Sequence, residues 1–91
     1  MLTFAQSITI ARRSVKTVSG IPVSQIDDND TLEKCTISEE VRVRLVKRLA
    51  IESEEFGVKK HKHTLAIEDL DGIDSSSTVG EFAEAIEANA K

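Results

Sequence analysis

The chain has no tryptophan and no tyrosine, and Phe4, Phe56 and Phe82 are its only aromatic residues. Stacking on bases or sugars therefore has little to work with, and the core has to be aliphatic. With a single cysteine, Cys35, no internal disulfide can close. Long apolar runs are missing too. The opening segment "MLTFAQSITIARRSVK" has charges inside any apolar stretch, so neither a signal peptide nor a membrane span is expected, and the chain reads as cytoplasmic. An excess of positive charge is also lacking: 12 Lys and Arg stand against 16 Asp and Glu, a net charge of −4. That balance disfavours general binding to phosphate backbones, so neither nucleic acid nor membrane is the expected partner. Ninety-one residues at 40% hydrophobic suffice for one small domain, residues 1–91, and not for two.

What is present is helical periodicity. Phe4, Ile8, Ala11, Val15 and Val18 recur at steps of four and three, which places them on one helical face, with Thr3 and Gln6 as a capping box. Gly20 supplies a stop and Pro22 forbids continuation. The following "VSQIDDNDTLEKC" mixes turn formers with isolated Val23, Ile26 and Leu32, the pattern of a long loop tacked to a core. A second helix should begin near Thr36 or Ser38, since Thr36 and Glu39 form a capping-box pattern and Glu39 and Glu40 suit a helix N-terminus. Val46, Leu49, Ser53 and Phe56 form its inner face, widened by Leu45 and Ala50, with an end at Gly57. "VKKHKH" reads as a charged connector, and Leu65, Ile67, Leu70 and Ile73 predict a short third helix. Thr78 and Glu81 cap a closing helix over 78–89, with Val79, Phe82, Ala83 and Ile86 inward. No segment alternates in the manner of a strand.

Few side chains offer chemistry. His61 and His63 stand near Glu68, Asp69 and Asp71, but the spacing matches no closed metal site and solvated surface is the simpler reading. Cys35 with a histidine lacks a third, orienting group, so a buried small hydrophobe is expected instead of a nucleophile. "DDND" at 27–30 lacks the ligand spacing of a calcium loop and reads as a solvated turn. The outstanding feature is Arg42, Arg44, Lys47 and Arg48. The last three are mutual three- and four-step neighbours on one helical stripe, with Arg42 on its flank. Such a stripe either docks an acidic partner or is a solubilising face paired with Glu39, Glu40, Glu52 and Glu55.

A long helix, a long acidic loop, a second helix, a short third element and a closing helix is an order that resembles acyl and peptidyl carrier proteins. In "SGIPVSQIDDNDTL", Gly20, Ile26 and Leu32 resemble the residues that pin the family's first loop to its bundle, and "STVGEFAEAI" resembles its final helix. The resemblance implies an all-α four-helix bundle. It also implies a serine at the start of the second helix that carries 4′-phosphopantetheine. Here the aligned segment "EKCTISEEV" has Ser38 where the family has Asp, Glu39 where it has Ser, and Glu40 where it has Leu. A glutamate cannot accept the arm. Ser38 is one residue off and could substitute, although its simpler role is a helix N-cap. "DGIDSSSTV" mimics the attachment signature at Asp74 and Ser75, yet only 16 residues follow Ser75, too few for the remaining helices, and a turn is the simpler reading.

Three readings follow. The first is a monomeric, non-enzymatic, carrier-like binding module without cofactor, docking an acidic protein, such as an enzyme of an acyl or aminoacyl pathway, through Glu39, Arg42, Arg44, Lys47 and Arg48. The second is a divergent carrier with phosphopantetheine on Ser38. The third is a helical interaction domain of other ancestry.

Overall fold

A computed structural model describes residues 2–52 and 65–90. Among these there are three α-helices, α1 (Phe4–Ser19), α2 (Glu40–Glu52) and α3 (Val79–Asn89), two short 3-10 turns at Val23–Gln25 and Ile67–Leu70, and no β-strand. The all-helical expectation is met. The expected third helix is instead a four-residue 3-10 turn, so three α-helices, not four, are present among the described residues. Its first N–H is closed locally by Asp69, whose Oδ2 accepts from Ala66 N–H at 2.9 Å, and the chain leaves the turn at Asp71.

Helix α1 starts as its sequence dictates. Thr3 Oγ1 accepts from Gln6 N–H at 3.1 Å while Gln6 Oε1 accepts from Thr3 N–H at 2.9 Å, a complete capping box. It stops at Gly20, whose φ of 79° lies in the left-handed region and whose N–H donates to Lys16 O at 2.8 Å. Ile8, Ile10, Ala11 and Val15 are buried, whereas Phe4, assigned to the inner face by its spacing, is 38% exposed at the first position of the helix.

The long loop is held at the N-terminal end of α3. Leu32 N–H donates to Ser77 O at 2.9 Å and Glu33 N–H to Ser75 O at 2.8 Å, while Thr31 and Thr78 form an isolated bridge. In return the loop's carbonyls close the start of α3. Val79 N–H donates to Asp30 O at 2.9 Å, Gly80 N–H to Asp28 O at 2.8 Å and Glu81 N–H to Thr78 Oγ1 at 3.0 Å. Every N–H of that first turn, which a helix cannot satisfy itself, has a partner. "DDND" is thus a structural clasp as well as a turn. Asp28 also pairs with Arg12 of α1, and Asp30 with Lys34 at 3.0 Å.

The second helix begins later than its capping pattern suggests. Residues 31–36 already form one helical turn of their own: Thr31 Oγ1 accepts from Lys34 N–H at 3.1 Å, and Cys35 N–H reaches Thr31 O at 3.2 Å. That turn ends with Thr36 N–H donating to Glu33 O and Ile37 N–H to Leu32 O, the two hydrogen bonds of a Schellman stop. Thr36 sits at its left-handed position, φ 65°, a place glycine usually fills. Thr36 therefore cannot start α2. Glu39 carbonyl accepts from both Arg42 and Val43 N–H, so α2 starts at Glu40.

Leu2, Ile26, Leu32, Cys35, Ile37, Leu65, Leu70 and Ile73 join the inward residues of all three helices in one buried aliphatic cluster around Phe82. Helix α1 packs most extensively on α3 and next on α2, whereas the Ile67–Leu70 turn bridges α3 and α2.

Candidate functional site on the second helix

At 100° per residue, α2 divides into four strips. Val43, Val46 and Ala50 are buried in the core. Leu49 and Arg42 lie toward α1. Arg42 is drawn into the fold: a terminal nitrogen donates to Val18 O at 3.0 Å, closing one of the carbonyls that α1 leaves open at its C-terminus. Its Nε is buried and has no hydrogen-bond partner among the described residues. Of the stripe expected to dock a partner, Arg42 is therefore occupied by an intramolecular task.

The outward strip contains Val41, Arg44, Leu45, Arg48 and Glu52. Val41 is 71% and Leu45 48% exposed, and both arginines are exposed as well. Leu45, expected to widen the inner face, projects outward: it is 48% exposed, whereas the buried positions of α2 are Val43, Val46 and Ala50. This apolar pair was missed as a surface feature. Its signal was the four-step spacing of residues 41 and 45, out of phase with 43, 46 and 50. Glu39 is exposed immediately before the helix.

On the remaining flank, Glu40, Val43, Arg44 and Lys47 face the segment carrying Ile67, Asp71, Ile73, Asp74 and Ser75 across a cleft of about 460 Å3. Ser38 is at its edge, exposed, and among the described residues its hydroxyl takes part in no hydrogen bond. The N-cap role expected of Ser38 is not filled, because Glu39 intervenes between it and α2. The cleft thus gathers both serines that sequence reading weighed for attachment, Ser38 and Ser75, together with two of the basic residues.

Asp74 is engaged in its own turn. Its Oδ1 accepts from Ser76 N–H at 2.9 Å and Ser76 Oγ at 2.6 Å, and its N–H donates to Ser77 Oγ at 3.0 Å. The bonds from Ser76, first its hydroxyl and then its N–H, hold the Asp74 carboxyl below the usual carboxylate range. The Ser-rich segment is a turn before α3, as expected. Cys35 is 2% exposed, and burial, with Asp30 adding to it, pushes its thiol up. A thiol so placed is held away from the reactive thiolate, in keeping with a packing role. Among the described residues no three His, Cys, Asp or Glu side chains are grouped to hold a metal ion, and His61 and His63 lie outside those residues, as do Ser53, Glu55, Phe56 and Gly57. No described helix is long and apolar enough to cross a membrane.

Compared with known proteins, the chain matches no family model, no curated protein and no solved structure.

Proposed function

We propose that the chain is a carrier-protein-like, non-catalytic binding module that works in the cytoplasm as a monomer, without a phosphopantetheine arm, and docks an acidic partner protein through α2. The observation that carries this reading is the outward strip of α2, where Val41 and Leu45 stay exposed among Arg44 and Arg48. Exposed aliphatic side chains on a helix that already has a complete inner face contribute nothing to the fold, and a basic rim selects a partner of opposite charge. The order of elements supports a carrier-like layout, with the Ile67–Leu70 turn standing in place of a small third helix. Glu39, aligned with the family's serine, has no hydroxyl to modify. Typical carriers offer an acidic second helix to basic enzymes, and the reversed charge here would repel those partners.

The alternative, phosphopantetheine on Ser38, is supported by one observation: that hydroxyl is exposed at the edge of the cleft and, among the described residues, takes part in no hydrogen bond. Incubation with coenzyme A and a promiscuous phosphopantetheinyl transferase, followed by intact mass, separates the two. The expected result is an unchanged mass; an added arm that Ser38→Ala abolishes would replace the leading reading. Docking is tested with Arg44→Glu combined with Lys47→Glu, which should weaken partner capture at least about tenfold while far-ultraviolet circular dichroism stays the same. Full retention of capture would rule out α2 as the docking element.

A further inference from the structure

The cleft beside α2 has walls of opposite charge that form no ion pair with one another. Arg44 and Lys47 stand on the α2 side, and Asp71 and Asp74 on the other, with Glu40 at the end near Ser38. Among the described residues none of these five is in an ion pair, although Lys34 with Asp30 and Arg12 with Asp28 are. Between the walls the floor is aliphatic: Val43 and Ile73 are buried, and Ile67 is half-buried. The volume of about 460 Å3 is within the range of small-molecule sites.

From this arrangement we propose that the cleft binds a small zwitterion with its ammonium and carboxylate at opposite ends of a short aliphatic chain, an ω-amino acid. The carboxylate would meet Arg44 and Lys47, the ammonium Asp71 and Asp74, and the methylenes would cover Val43, Ile67 and Ile73. A purely anionic ligand, a phosphate included, would face three carboxylates. A purely cationic one would face two cations, and an uncharged one would leave both walls without a partner while covering the space through which they are solvated. Only a ligand carrying both charges, separated by an apolar span, complements both walls and the floor together. The proposal shares Arg44 and Lys47 with the docking reading but is tested with small probes and no protein partner, and through Asp71 on the opposite wall, so either can fail without the other.

The test is a titration of isotopically labelled protein followed by amide chemical shifts, with 6-aminohexanoate as the probe and hexanoate and hexylamine as versions missing one charge. The expected result is saturable binding of 6-aminohexanoate in the millimolar range, with shifts at Val43, Arg44, Ile73 and Asp74, and affinity at least about tenfold weaker for each singly charged analogue. Arg44→Gln should lower affinity for 6-aminohexanoate and hexanoate but not hexylamine, and Asp71→Asn should do the reverse for the two analogues. No saturable shift at about 50 mM probe, shifts confined to another surface, or equal affinity for all three compounds would each overturn the proposal.

Discussion

At the scale of single residues, Thr36 shows most clearly how a local pattern is overridden. Its hydroxyl and the glutamate three positions on are the residues of a capping box. In the fold it is the left-handed residue of a Schellman stop, φ 65°, because Leu32 and Glu33 carbonyls are taken by the N–H groups of Ile37 and Thr36. A β-branched residue in that region carries steric strain of about 1 kcal/mol or more, which glycine does not. Thr36→Gly should therefore raise stability by about 1 kcal/mol, or about 4–8 °C in melting temperature for a domain of this size. A lower melting temperature would show that Thr36 contributes contacts outweighing the strain. Arg42 makes a similar point. Read from its spacing it flanks a basic stripe, yet its guanidinium reaches 24 residues back to a carbonyl of α1, which no local pattern could disclose.

At the scale of elements, the helix starts were legible wherever the capping residues had no competing partner. Thr3 with Gln6 and Thr78 with Glu81 are complete boxes, as the sequence implied. No local pattern discloses that the Asp30 and Asp28 carbonyls take the first two N–H groups of α3. Gly80 is the residue that permits it. A methyl built there would lie 3.1 Å from Asp28 O, closer than ordinary van der Waals contact, and the atom it meets is backbone. Gly80→Ala should thus lose about 1–2 kcal/mol, seen as a lower midpoint in urea, despite alanine's better helix propensity. An unchanged or higher midpoint would mean that the loop yields without cost. Helix α2 was half legible: its inward Val46 and Ala50 were anticipated, whereas Leu45 faces solvent. Periodicity locates an apolar arc but not how wide an arc the neighbouring elements will cover.

At the scale of the whole molecule, the two turns that meet at the start of α3 are each closed by a carboxylate whose folded state favours ionisation. The Asp30 carboxyl is lowered chiefly by the backbone N–H of Asp27 and then by Lys34, and that of Asp74 by Ser76. A carboxyl whose pKa is depressed on folding binds fewer protons than in the unfolded chain, so its contribution is complete above the unfolded value near 3.8 and is lost as pH falls through the lower folded value. Stability should accordingly fall with acidification below about pH 4, and Asp30→Asn with Asp74→Asn should flatten that dependence while lowering stability at neutral pH. Chemical denaturation between about pH 2 and 7 measures both; an unaltered pH slope in the double variant would assign acid sensitivity to other groups.

The sequence by itself determined the class of the fold, the two capping boxes and most of the buried positions, because hydrogen bonds three residues apart and apolar recurrence every three or four residues are written within a single turn of chain. Tertiary structure decided the rest: that the Ile67–Leu70 segment is a 3-10 turn, that Arg42 closes α1, that Val41 and Leu45 face outward, and that Ser38, Arg44, Lys47, Asp71 and Asp74 share one cleft. Each of these depends on which surfaces residues far apart in the chain leave uncovered, and a pattern read along one helix holds no information about its neighbours.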